Sequence, residues 1–192
     1  MRAVQAHSAS RLRSGWLQGG LLREVTAALA GSALLAASAW IQVPMWPVPM
    51  TMQTYAVLLI GAMCGPRVGA LTVAAYLVEA ALGLPVLAGG KPFVLGGPTF
   101  GYLIGFLLAA VTVGWAVQRG STRCWPQLLG VLLLAQTLIY LPGLAWLDAI
   151  VFQDSRLTLT AGLLPFLPGD VLKLLLVAVS LRLLHRASAR PG

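Results

Sequence analysis

PFLPGDVLKLLLVAVSLRLL, residues 165–184, is long and apolar enough to cross a bilayer, yet Asp170 and Lys173 stand near its start. A spanning helix needs about 20 mostly apolar residues. A charge within such a span costs about 2.5–3.5 kcal/mol even on the gentler insertion scales. Positions three apart share one face of a helix, so the two opposite charges lie side by side. Asp170 also falls in the first turn, where the helix dipole favours a carboxylate. A mutually neutralised pair at the interface, with Lys173 reaching toward the headgroups, would explain the residues without a function. Ionisable groups inside a membrane are rare, however, and by default they mark a functional site.

The rest of the 192-residue chain has the same character: 58% of it is hydrophobic and only 9% is charged. A soluble domain carries about 25% charged residues. So little polar material cannot cover a water-facing surface, which excludes a soluble enzyme. The formal net charge of +8 would suggest nucleic acid in a soluble chain, but topology explains it better here. Cys64 lies in apolar sequence and Cys124 in a basic loop, which makes neither a disulfide framework nor a metal site. His7 and His185 fall in the terminal tails and read as solvated.

Hydropathy predicts an all-α membrane protein with six transmembrane helices, at about 25–43, 49–64, 68–84, 100–117, 127–147 and 168–184. Residues 1–22 form a basic tail, 23–186 the membrane domain and 187–192 a C-terminal tail. Gly65-Pro66-Arg67 separates the second and third spans. The loop 148–167 is amphipathic and proline-rich, and it is expected to pack on the bundle because Ala161-Gly162-Leu163-Leu164-Pro165-Phe166 is too apolar for a free loop. Ten of the thirteen Lys and Arg residues fall on one side of this arrangement: Arg2, Arg11, Arg13, Arg23, Arg67, Arg119, Arg123, Arg182, Arg186 and Arg190. Lys91 and Arg156 fall on the other. The positive-inside bias places both termini in the cytoplasm, next to anionic lipid. Cleavage after Ala37-Ser38-Ala39, as in a signal peptide, would destroy this asymmetry.

The chain has no G-x-x-x-x-G-K-[ST], G-x-S-x-G or H-E-x-x-H, so any energised transport would have to take its energy from a partner or an ion gradient. Few polar residues remain within the spans. Thr72, Tyr76 and Glu79 share one face of the third, Gln136 and Tyr140 one face of the fifth, and Gln53 begins the second. Orientation puts Asp170, Lys173 and Glu79 in the outer half, at the depth of the loop holding Gly89, Gly90, Gly96 and Gly97. Together these describe an outward-opening pocket for a small molecule with N–H donors, an anionic end and an apolar body. The first span carries small residues at four-residue spacing: Ala27 and Gly31, then Ala28, Ser32 and Ala36, then Ala33 and Ala37. Such faces pack closely against other helices, within the bundle or on another subunit.

Five stretches carry a resemblance to a known family: VPMWPVPMTMQT (43–54), GPRVGA (65–70), YLVEAALGLPV (76–86), GPTFGYLIGF (97–106) and PFLPGDVLK (165–173). In this order they resemble the BioY family, the biotin-specific substrate-binding (S) components of energy-coupling-factor (ECF) transporters. The resemblance covers about residues 43–184. It implies the six-helix S-component fold and high-affinity capture of external biotin in a bacterial cytoplasmic membrane. It implies no catalytic residue, metal or cofactor of the chain's own. ATP is bound by two partner ATPases, and a transmembrane coupling subunit docks on the small face of the first helix. Some members work without that module, which leaves a homo-oligomer open. Asp170 and Lys173 match the P-G-D-x-x-K motif and are implied to contact biotin. Asp170 would accept from the ureido N–H groups, and Lys173 would pair with another polar end of the ligand or orient Asp170. Tyr76, Glu79, Gln53, Gly97 and Tyr102 are further wall candidates. Many members carry Phe at position 87, followed by Asn or a longer glycine run. Here Leu87 and Ala88-Gly89-Gly90-Lys91-Pro92-Phe93 stand instead, which offers Lys91 as an alternative partner for the ligand carboxylate. The competing classes are a membrane enzyme using Glu79, Asp170 and Lys173, and a scaffold whose polar groups only set helix register.

Overall fold

The computed structural model describes residues 20–120 and 124–188, with side chains through residue 184. His7 and the arginines at 2, 11, 13, 123 and 190 lie outside the described residues, as do the side chains of His185 and Arg186 and most of the two tails. Helix α1 spans Leu21–Trp40 and stops where Pro44, Pro47 and Pro49 follow in quick succession. Proline removes the N–H that a helix interior needs. The chain instead forms a short antiparallel ribbon, β1 (Gln42–Val43) on β2 (Met50–Thr51), with Gln42 opposite Thr51. The ribbon was not foreseen from hydropathy, because two-residue strands leave no alternation to read.

Helix α2, Gln53–Ala81, is a reversal rather than a rod. Gly65 adopts φ 85°, a conformation open to glycine, and Pro66 restarts the helix with its preset φ. Gln53 Nε2 donates to Tyr76 Oη at 2.6 Å. Twenty-three residues of straight helix would hold those groups about 34 Å apart. The arms 53–64 and 66–81 therefore run side by side. A Cβ on Gly69 would stand 3.3 Å from the Gly61 Cα, which shows how closely they touch. The described residues thus hold five helices long and apolar enough to cross a membrane, one of them folded back on itself.

Helices α3 (Phe100–Gln118) and α4 (Trp125–Leu147) complete the centre of the bundle. Glycines on α3 let the backbones meet: Gly114 rests on the Gly65–Pro66 turn and Gly105 on Ile139. One π-helical turn, Asp148–Phe152, follows α4. The short α5 (Ser155–Gly162) comes next. Asp154 caps it by accepting the N–H groups of Arg156 and Leu157 at 2.8 and 3.1 Å. Tyr102 Oη donates to the Gly162 carbonyl at 2.9 Å, so the segment after α4 is ordered against the bundle as its apolar sequence required. Helix α6, Leu167–Ser188, closes the fold. Its Val171, Leu172, Leu175 and Val179 face outward. That is the surface a lipid-facing helix presents.

The small residues of α1 divide between two faces. Ala28, Gly31 and Ser32 are buried inside the bundle. A Cβ on Gly31 would stand 2.7 Å from Thr72 Oγ1, so this glycine admits α2. Ala27 and Ala36 are half-buried, while Ala33 and Ala37 look outward. The small residues that the resemblance assigned to docking thus divide into an inner packing face and an outward one. Four-residue spacing cannot tell which side of a helix its neighbour occupies.

Arg67, Arg119 and Arg182 gather at one end. Arg119 stacks on Trp115 with its guanidinium 3.6 Å from the ring centre, and Arg182 lies 5.2 Å from that of Trp125. The Gly65 turn that carries Arg67 meets Gln118 there.

Candidate functional site: a cavity floored by Asp170

The opposite end of the bundle holds a cavity of about 420 Å³, walled by the β1–β2 loop, the 87–99 loop, α3, α4 and the start of α6. That volume lies within the usual range for small-molecule sites, about 300–1,000 Å³. Its floor is built from the stretch 165–173. Leu164–Phe166 makes a 3-10 turn, Pro168 sits in the first turn of α6, and Asp170 follows beside the helix N-terminus. Asp170 and Lys173 are each only 5% exposed.

Asp170 is held by three donors. Lys173 Nζ donates to Oδ1 at 2.7 Å. Gln136 Nε2 donates to Oδ2 at 2.7 Å, and Tyr140 Oη donates to the same oxygen. Gln136 and Tyr140 are four apart on α4, so one helical face delivers both. Breaking a buried pair by removing one partner costs about 3–5 kcal/mol, which makes this cluster a unit. Gln136 Oε1 is also buried but has no hydrogen-bond partner. Above the floor the walls are apolar, with Leu103, Phe106 and Ile139. Lys91 stands on the exposed rim, where its ammonium has no partner among the described residues.

Of the residues expected at the site, Asp170, Lys173, Gln53, Lys91, Gly97 and Tyr102 line the cavity. Gly97 shapes the wall without offering hydrogen bonds, because Val94 accepts its N–H and Trp146 donates to its carbonyl. Tyr102 packs edge-on to Tyr140 with ring centres 6.2 Å apart. Two expectations are corrected. Tyr76 lies behind the wall, where it is fully buried, accepts from Gln53 and donates to the Val86 carbonyl at 3.0 Å. Glu79 turns away from the cavity and accepts from Ser32 Oγ of α1 at 2.6 Å. No residue of the arm 66–81 lines the cavity; the arm packs against α1, where Thr72 meets Gly31 and Glu79 meets Ser32. Gln136 and Tyr140 join the site instead. Their spacing within an apolar span was the visible signal.

Long apolar helices around a cavity with a paired charge at its floor define a multi-pass membrane protein that encloses a small-molecule pocket. Residues 6–190 match the BioY family, and the chain belongs to it. The chain is 38% identical over 165 residues to a biotin transporter BioY of Thermotoga maritima, covering 84% of this chain and 96% of that one. It is also 38% identical over 154 residues to a probable biotin transporter BioY of Pyrococcus horikoshii, covering 79% and 89%. Its fold is similar to the crystal structure of the S-component for biotin from an ECF-type ABC transporter, with a TM-score of 0.74 and 27% identity over 89% of this chain and 93% of that one.

Proposed function

We propose that this chain captures biotin in the cavity above Asp170 and takes part in its uptake across the membrane. The observation that carries this reading is the polarity of the cavity: an acceptor-rich floor, apolar walls and an unpartnered cation at the rim. Biotin has matching parts. Its ureido ring offers two N–H donors and a carbonyl acceptor, its thiolane ring and side chain are apolar, and its tail ends in a carboxylate. In this pose the ureido ring sits at the floor, with N–H groups toward Asp170 and the carbonyl toward a free donor of Lys173. Lys173 is already neutralised by Asp170 at 2.7 Å, so the rim cation Lys91 receives the carboxylate. Relatives named as biotin transporters support the ligand.

The test is equilibrium binding of radiolabelled biotin to the purified protein, with biotin amide as the uncharged comparison. The unmutated chain is expected to prefer biotin. Lys91→Ala is expected to weaken biotin by about tenfold and leave the amide unchanged, the low end for a charged hydrogen bond at an exposed site. No binding at micromolar biotin would refute the proposed function. An unchanged preference in the variant would remove Lys91 from the site.

The reading extends to topology and partners. The fold-back at Gly65 gives six membrane-crossing segments, with both termini and the basic end in the cytoplasm and the cavity facing out. A C-terminal alkaline phosphatase fusion is then expected to be inactive and a C-terminal fluorescent fusion bright; the reverse result overturns this orientation. As an S component, the chain would use the coupling subunit and two ATPases of an ECF transporter, with the outward face of α1 around Ala33 and Ala37 as the docking surface.

A further inference from the structure

We infer that Trp146 is a positioning residue for the ligand's carboxylate: from outside the cavity it holds the 91–97 loop, and with it Lys91, at the mouth. The inference rests on the proposed biotin function and deepens it.

Trp146 stands in the last turn of α4 and does not line the cavity. Its Nε1 donates to the Gly97 carbonyl at 3.0 Å. Its ring packs on Phe100 with centres 4.9 Å apart, and Phe100 packs on Phe93 at 6.0 Å. Phe93, Gly97 and Phe100 all line the cavity. One side chain behind the wall thus meets the loop directly at Gly97 and, through Phe100, at Phe93. A partly buried indole commonly finds an acceptor. Here the acceptor belongs to the segment that carries the rim cation.

Residues 91–97 form neither helix nor strand, and Val94 and Leu95 are exposed. The backbone closes one turn, in which Val94 accepts the Gly97 N–H at 2.9 Å. Lys91 is tied to Phe93 through Pro92. Proline fixes its own φ and keeps the residue before it extended, and Lys91 has φ −65° and ψ 145°. Placing the Phe93 ring therefore places Lys91. Upstream, Gly90 lies against the Trp40 ring, where a Cβ would stand 3.2 Å from it. The loop is held before Lys91 by this contact and after it by Trp146, and only the second hold is a hydrogen bond, which sets an angle as well as a distance. Losing the indole N–H strands no acceptor, because the Phe100 N–H also donates to the Gly97 carbonyl, at 3.2 Å. Removing it is expected to loosen the loop while the bundle stays folded.

The test is a double-variant cycle on the purified full chain, read with biotin and with biotin amide. Trp146→Phe keeps a ring on Phe100 and removes the N–H. It is expected to weaken biotin about fivefold and the amide by less than about twofold, the size of one neutral hydrogen bond felt through the carboxylate alone. Added to Lys91→Ala, it is expected to weaken neither ligand further, because its effect runs through Lys91. Trp146→Tyr, which also lacks the indole N–H, is the second variant should the first not fold. Equal weakening of both ligands by Trp146→Phe would show that Trp146 only supports the wall, and it overturns the inference. So does a loss that persists in the Lys91→Ala background, or an unchanged affinity for biotin. Absence of biotin binding by the unmutated chain overturns the proposed function itself and this inference with it, whereas biotin binding with an unchanged preference over the amide in Trp146→Phe overturns only the role of Trp146.

Discussion

Asp170→Asn is expected to weaken biotin binding at least about a hundredfold and to lower thermal stability. Three donors converge on this side chain, from Lys173, Gln136 and Tyr140. An amide offers one oxygen in place of two, and its NH₂ would face a donor on one side. Lys173, 5% exposed, would lose its only carboxylate partner at the floor. Stranding one member of a buried pair costs about 3–5 kcal/mol. Each 1.4 kcal/mol corresponds to about tenfold in affinity. The double variant Asp170→Asn with Lys173→Met removes the stranded cation, so it is expected to regain much of the stability. It is not expected to regain binding, because the acceptor and the donor for the ureido ring are both gone. Isothermal titration with biotin and thermal unfolding in detergent measure the two effects separately. Full affinity in Asp170→Asn would take this residue out of the site, and a double variant no more stable than the single one would show that the pair is not coupled.

Gly105→Ala is expected to destabilise the bundle by about 3 kcal/mol, the upper end for overpacking a close interface. A Cβ at this position would stand 2.6 Å from the Ile139 Cα and 2.7 Å from its carbonyl oxygen. Both obstacles are backbone, so no side chain can swing aside. Relief requires α3 and α4 to separate, and these helices carry Tyr102, Gln136 and Tyr140 into the cavity. Biotin affinity is therefore expected to fall along with the unfolding midpoint. Gly130→Ala is the control. It lies on α4 with nothing within 4 Å of its missing Cβ, and no loss of stability is expected there. Equal midpoints for the two variants would contradict the close approach at Gly105.

Much of this molecule is readable along the chain because the determining interactions are local. The proline cluster at 44–49 ends α1, and Gly65-Pro66 forces the reversal within α2. The three-residue spacing of Asp170 and Lys173 puts them on one face whatever the rest of the chain does. The partners of those residues are another matter. Gln136 and Tyr140 lie 34 and 30 positions away from Asp170, on a different helix. Glu79 and Tyr76 looked like wall residues from spacing and depth, yet α2 directs one to Ser32 of α1 and the other behind Gln53.

The sequence by itself determined the membrane class, the helical segments, the break at Gly65 and the paired charge at the head of α6. Each is a property of neighbouring residues: apolar length, backbone conformational preference, or side-chain spacing on one turn. The tertiary structure alone decided which helix faces meet, and with them the four-residue cluster around Asp170, the orphaned oxygen of Gln136 and the inward turn of Ala28, Gly31 and Ser32. The physical reason is the solvent. In water, hydropathy separates a buried face from an exposed one. In lipid both are apolar, so the rotation of each helix is set by close packing at small residues and by a few hydrogen bonds, which act only once the helices have met.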